Sequence, residues 1–252
     1  MKIEKTALIA GNWKMNGTIK EAKRLVSGLL EKYNGTPSLD AKILICPPMT
    51  LLNYVGNLLE GTNILLGGQN CHYEVSGAYT GEVSANMMRD SGCSHVIVGH
   101  SERRSQYGET DKEIFRKVEA VVEHGMKAIM CVGETLESRQ EGNAINYVSR
   151  QLDEVLNSRL SLENLVIAYE PIWAIGSGKT PEISEIEGIH EVIKKVLSKS
   201  LSQNHEVPVI YGGSVTPTNA EEVLGLEAVN GVLVGGASLN TNDFWEIVNA
   251  AS

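Results

Sequence analysis

The chain reads as a closed α/β barrel, a (β/α)8 or TIM barrel of eight parallel strands alternating with helices, and three observations predict it. Eight short apolar runs recur along the 252 residues. Amphipathic helical patterns fill the intervals, at roughly thirty residues per strand–helix unit. The first run leads into GNWKMNG and not into a G-x-G-x-x-G turn, which disfavours the rival architecture, an open doubly wound sheet. With no Pro/Ser-rich linker, charge block or low-complexity stretch to mark a boundary, residues 1–252 read as one barrel domain.

The apolar runs occupy residues 7–10, 43–46, 64–66, 96–98, 128–132, 166–169, 209–211 and 232–234. Each is short and barely alternates, as expected of a parallel strand covered on both faces. After the first run, Thr18 and Glu21 form a T-x-x-E capping box, and Ile19, Ala22, Val26, Leu29, Leu30 and Tyr33 come next at helical spacing. After the second, Leu51, Leu52, Val55, Leu58 and Leu59 do the same. Ser184 and Glu187 are expected to open a later helix carrying Ile189, Val192, Ile193, Val196 and Leu197. Further helices fit 114–124, 144–159, 219–224 and 244–250.

Composition narrows the function classes. A net charge of −9 excludes an extended nucleic-acid surface, which needs clustered Lys and Arg. It leaves room for a small anion, which a few backbone N–H groups and one lysine can hold. No apolar run approaches the roughly 18 residues of a membrane helix, and Asn12 and Lys14 arrive too early for a secretory signal. Cys46, Cys71, Cys93 and Cys131 are scattered without a CxxC pair, which predicts reduced thiols, a cytoplasmic setting and no metal site. Nothing in the chain calls for a cofactor.

In such barrels chemistry collects at the C-terminal strand ends. The first strand runs into Asn12-Trp13-Lys14, where side-chain alternation predicts Asn12 and Lys14 on the mouth side and Trp13 in packing. The fourth runs into Gly99-His100-Ser101-Glu102-Arg103. His100 precedes an expected helix start, whose positive end favours a neutral imidazole with one N–H to donate. His95 opens the same strand and belongs to the opposite, stability face. His72, His124, His190 and His205 read as ordinary surface or core residues. The sixth strand ends in Tyr169-Glu170, and Pro171 restricts the backbone at the start of the next loop. The segment 174–178 is small and glycine-laced and ends in Lys179-Thr180-Pro181, yet Trp173 and Ile175 are apolar residues in a loop, as a docking lid requires. The seventh and eighth strands end in Gly212-Gly213-Ser214 and Gly235-Gly236-Ala237-Ser238, the two loops with which barrels commonly hold phosphate. Each feature alone has a plain reading, as a solvated glutamate, a turn or a surface lysine; their joint placement does not.

Taken in order, GNWKMNG, GAYTGEVS, VIVGHSERR, CVGE, AYEPIWAIGSGKT, YGGSV and GVLVGGASL resemble the triosephosphate isomerase family nearly end to end. The resemblance implies an aldose–ketose isomerase of glycolysis and gluconeogenesis that acts on a triose phosphate without a cofactor. It implies Glu170 as base, His100 as electrophile and Lys14 and Asn12 as electrostatic partners. Gly176, Ser214, Gly235 and Gly236 then hold the phosphate. It also implies a homodimer in which the long loop from Gln69 to Ser84 inserts into a second subunit and brings Thr80 near the partner's site. Three departures from the family pattern are Ser177, Pro181 and Asn230, and none falls on a catalytic position. Two rivals share some of these features: another phosphate-binding barrel isomerase, and a non-catalytic barrel that binds phosphometabolites.

Overall fold

The computed structural model describes residues 6–36, 38–158, 160–175, 181–199 and 206–251. The order is β1 (Ala7–Asn12), α1 (Ile19–Asn34), β2 (Ala41–Cys46), α2 (Met49–Leu59), β3 (Leu65–Gly68), α3 (Ala85–Asp90), β4 (His95–Val98), α4 (Ser101–Tyr107) and α5 (Asp111–Glu123). It continues with β5 (Lys127–Val132), α6 (Leu136–Gln140), α7 (Ala144–Leu156), β6 (Leu165–Tyr169), α8 (Ile183–Ser198), β7 (Val209–Tyr211), α9 (Ala220–Leu224), β8 (Gly231–Val234) and α10 (Thr241–Asn249). All eight strands are parallel and close in chain order, β8 pairing back onto β1 through Leu8–Gly231 to Gly11–Val234. The expected barrel is therefore observed.

Strand alternation separates two apolar layers. Leu8, Ala10, Leu44, Ile97, Ile129, Val166, Ala168, Ile210 and Leu233 fill the barrel interior. Their neighbours Ile9, Ile43, Ile45, Val96, Val98, Ile167 and Val232 pack outward against the helices. Glycine extends β3 beyond its apolar run: a methyl on Gly67 would lie 2.8 Å from Cys46 Sγ, and one on Gly68 would lie 2.8 Å from Met88 Sδ. Packing, not strand propensity, selects glycine there.

Thr18 and Glu21 do close the capping box of α1. The start of α8 corrects the sequence reading. The helix begins at Ile183, and the Glu185 carboxylate reaches back to accept the Glu182 N–H at 2.9 Å, so Ser184 and Glu187 already lie inside it. A second box, Thr110 with Glu113, opens α5 three residues before its first apolar position. The helices α3 and α6 show no period in sequence because each is shorter than two turns. Asn230 sits at the β7–β8 seam, where its Oδ1 accepts the Val209 N–H at 3.0 Å.

His95 lies at the N-terminal start of β4, away from the strand ends that carry the site, and is buried beside Ser94, whose Oγ is 2.8 Å from Nδ1. Burial, with help from the Lys127 and Lys42 ammoniums, pushes its pKa down to about 4. A folded pKa below the ordinary 6.5 means that neutral His95 stabilises the fold fully above pH 6.5. That contribution is lost as pH falls toward 4, up to about 3 kcal/mol. His95→Gln is expected to flatten this part of the stability–pH curve in urea unfolding; parallel curves for variant and wild type contradict it.

The segment from Gln69 to Ser84 is a folded excursion. The His72 N–H donates to Val83 O at 2.7 Å and closes its base. The His72 ring lies 4.3 Å from both Tyr73 and Tyr79, and the Arg116 guanidinium covers Tyr73 at 3.5 Å. Thr80 is exposed at its tip.

Candidate active site

The interior set of each strand continues into the barrel mouth. On β1, Leu8 and Ala10 lead to Asn12; on β6, Val166 and Ala168 lead to Glu170; on β7, Ile210 leads to Gly212; on β8, Leu233 leads to Gly235. Together with residues of the adjoining loops, these strands bring Asn12, Lys14, His100, Glu170, Ser214, Gly235 and Gly236 to one cavity of about 550 Å³. That is ample for a molecule of three carbons and one phosphate. Gly176 lies outside the described residues, as do Ser177, Lys179 and His205. Among the described residues no group of three or more potential ligands could hold a metal ion.

Glu170 is 1% exposed, yet its carboxylate is only half satisfied. Oε2 accepts the Ser101 N–H, at the start of α4, at 2.8 Å. Oε1 lies 2.9 Å from His100 Nε2, off the line of a hydrogen bond, and has no hydrogen-bond partner. Burial pushes the carboxyl up; His100 and the Ser101 amide overcome this, so the net direction is below the usual carboxylate range. Glu170 is accordingly ionised at neutral pH with one oxygen uncommitted.

His100 is the N-cap of α4, its Nδ1 accepting the Glu102 N–H at 3.2 Å. An Nδ1 that accepts carries no proton, so the neutral ring is the Nε2–H tautomer, aimed toward the cavity. Burial also disfavours the imidazolium, but the carboxylates of Glu170 and Glu102 outweigh it and move the imidazole upward from its ordinary value. The helix start is thus not the whole control, as the sequence suggested. The ring's charge also depends on the Glu170 carboxylate at 2.9 Å, and an oxygen without full charge in that place favours the neutral ring more strongly.

Alternation places Asn12 and Trp13 as expected, Trp13 buried in the outer layer. Lys14 lies beyond the strand and reaches the mouth by a different route, a left-handed backbone at φ 54°. Its N–H donates to Asn12 Oδ1 at 3.0 Å, and Gln69 Nε2 donates to its carbonyl at 2.9 Å. Those two bonds hold a conformation that a lysine rarely adopts. The ammonium pairs with Glu102 Oε1 at 2.7 Å. A methyl on Gly235 would lie 3.4 Å from Lys14 Cε and 3.8 Å from Nζ, so the cation stands directly beside the β8 loop.

Gly212 performs the same spatial task for the carboxylate. A methyl there would sit 2.9 Å from Glu170 Cγ. Gly212→Ala is expected to displace the carboxylate by up to about 1 Å and lower kcat/KM on the order of 100-fold, with thermal unfolding little changed. Wild-type kinetics in the folded variant contradict this placement.

Three anchors stand in motifs read from the sequence but receive a role only from the fold. Glu134, fully buried after β5, accepts from Trp173 Nε1 at 2.8 Å, Tyr169 Oη at 3.1 Å and Arg139 Nη1 at 2.9 Å, all at Oε1. It therefore pins the first residues after Pro171, with Trp173 docked on Glu134. Ser101 and Glu102 hold Glu170 and Lys14. Both stand in the HSERR stretch, but only the fold reveals which partners they meet.

The family model described as triosephosphate isomerase matches residues 7–251. The chain is 47% identical to the triosephosphate isomerase of Afipia carboxidovorans, covering 96% of each chain. It is 46% identical to that of Hydrogenovibrio crunogenus, covering 96% of this chain and 97% of the other. The crystal structure of triosephosphate isomerase from Bartonella henselae superposes with a TM-score of 0.88 at 40% identity, over 97% of this chain and 98% of that one.

Proposed function

Because the chain belongs to the triosephosphate isomerase family, and so interconverts dihydroxyacetone phosphate and D-glyceraldehyde 3-phosphate within glycolysis and gluconeogenesis, we propose that Glu170, His100, Lys14 and Asn12 carry the reaction. Ser214, Gly235 and Gly236, joined by Gly176, hold the substrate phosphate. The observation that supports this most is the uncommitted oxygen of a buried, ionised Glu170 beside the Nε2 of His100, in a cavity that also receives Lys14.

The substrate carbonyl oxygen takes up the Nε2–H of His100 and the field of Lys14 and Asn12. Glu170 removes the proton from the adjacent carbon, leaving an enediolate. His100 moves a proton between the two oxygens, and Glu170 returns its proton to the neighbouring carbon, so the atoms balance without a cofactor. A positioned base contributes about 10²–10⁴ in rate. Each donor aimed at the developing oxyanion adds about 3–4 kcal/mol. Pro171 and the Glu134-anchored turn set the first residues of the loop after the sixth strand beside the cavity, where shielding from water would keep the enediolate from expelling its phosphate. A coupled assay with D-glyceraldehyde 3-phosphate tests the activity: turnover in the range typical of enzymes is expected, and none from folded protein contradicts it.

The finer reading is a homodimer of one-domain chains, residues 1–252, in the cytoplasm. A second cavity of about 590 Å³ opens beside the first, sharing Asn12, Lys14 and His100 and bordered by Met15, Gln69, Glu82 and Tyr107. Met15 is 94% exposed at its edge, an apolar side chain in need of cover. The loop from Gln69 to Ser84 of a second copy, with Thr80 at its tip, fits that need. Sedimentation at assay concentration is expected to give a dimer; a fully active monomer contradicts it. The four described cysteines are free and buried, and no described helix is long and apolar enough to cross a membrane.

A further inference from the structure

The mechanism leaves one buried hydroxyl at the centre of the β8 loop unused. Ser238 is 1% exposed, in the 3-10 turn Gly236–Leu239. Its Oγ donates to Gly235 O at 2.6 Å, and its own N–H donates to the same oxygen at 2.9 Å. A longer contact of 3.4 Å joins Oγ to Asn12 O, at the end of β1. One hydroxyl has one proton, so the shorter bond holds it.

Gly235 adopts φ −86° and ψ −108°, neither helical nor extended, and the carbonyl of its peptide bond to Gly236 is held by the 3-10 bond from the Ser238 N–H together with the Ser238 hydroxyl. In a trans peptide the C=O and the next N–H point to opposite sides. A Gly235 carbonyl drawn inward by two donors from Ser238 therefore turns the Gly236 N–H outward, into the cavity that both glycines line.

We propose that Ser238 is a positioning residue for the phosphate: its hydroxyl fixes the Gly235–Gly236 peptide plane. The proposal rests on the β8 loop being a phosphate site. It predicts that loss of the hydroxyl weakens recognition of phosphate while leaving proton transfer intact, because Glu170, His100 and Lys14 do not touch Ser238.

The test compares Ser238→Ala with wild type on three probes: D-glyceraldehyde 3-phosphate, unphosphorylated D-glyceraldehyde, and inhibition by inorganic phosphate. The expected result is a rise of about tenfold in both KM for the phosphorylated substrate and Ki for phosphate, the scale of one lost hydrogen bond. The kcat/KM for D-glyceraldehyde stays at the wild-type value. Unchanged KM and Ki, or an equal fall on both substrates, overturns the proposal. Ser238→Cys, which keeps the shape with a weaker donor, is expected to show the same selectivity at smaller size and carries the test if the alanine variant does not fold. A wild-type enzyme that does not turn over the phosphorylated substrate contradicts the family reading instead, so the two failures are distinct.

Discussion

Glu170→Asp is expected to fold normally and to lower kcat by roughly two to three orders of magnitude, the scale of a base displaced by about 1 Å. The side chain continues the interior row Val166–Ala168, so the backbone at 170 is set by barrel register and tolerates the shorter residue. What changes is reach. The carboxylate of the wild type spans from the Ser101 amide at 2.8 Å to the His100 ring at 2.9 Å. An aspartate cannot hold both contacts, and its uncommitted oxygen retracts from the carbon to be deprotonated. Near-normal turnover in a folded variant contradicts the assignment. The ionisation of Glu170 gives a companion expectation: with its pKa below the ordinary carboxylate range, the acid limb of kcat/KM lies below that range too.

His100→Asn is expected to cost kcat on the order of 10²–10³ with KM changing less, the loss of one oxyanion donor. The substitution is informative because His100 has two jobs. It caps α4 by accepting the Glu102 N–H through Nδ1, and it presents Nε2 to the cavity. Asparagine is a good N-cap and retains the first function, while its shorter side chain cannot reach the position of Nε2. Steady-state kinetics and thermal unfolding on the same preparation separate the two: stability close to wild type with kcat lost is expected. A change confined to KM means that His100 only binds substrate.

Much of this architecture is legible in the sequence alone. The barrel comes from apolar runs that pack on both faces, and its strand ends point to the site because the side-chain period of two carries Asn12, Glu170 and Gly235 onto the interior face. Lys14 shows where that logic stops. It lies past the strand, and its place depends on a left-handed turn held by Gln69, 55 residues away. The contacts of Glu134, Ser101 and Ser238 are illegible for the same reason. Each is a small or charged residue whose partner is brought by closure of the barrel and not by local pattern. Helix starts are misplaced where the cap is a carboxylate reaching back, as at Glu185, or where it precedes the apolar period, as at Thr110. The segment after Ile175, with Gly176, lies outside the described residues, so its part in phosphate binding rests on sequence resemblance.

Glu170, His100 and Lys14 must all act on one small molecule. A crystal structure with 2-phosphoglycolate bound tests that convergence most directly. The ligand carboxylate is expected to accept from His100 Nε2, with Glu170 facing the adjacent carbon, Lys14 beside the carboxylate and the phosphate on the amides of Ser214, Gly235 and Gly236. A phosphate seated elsewhere, or a ligand carboxylate out of reach of Glu170 and His100, contradicts it.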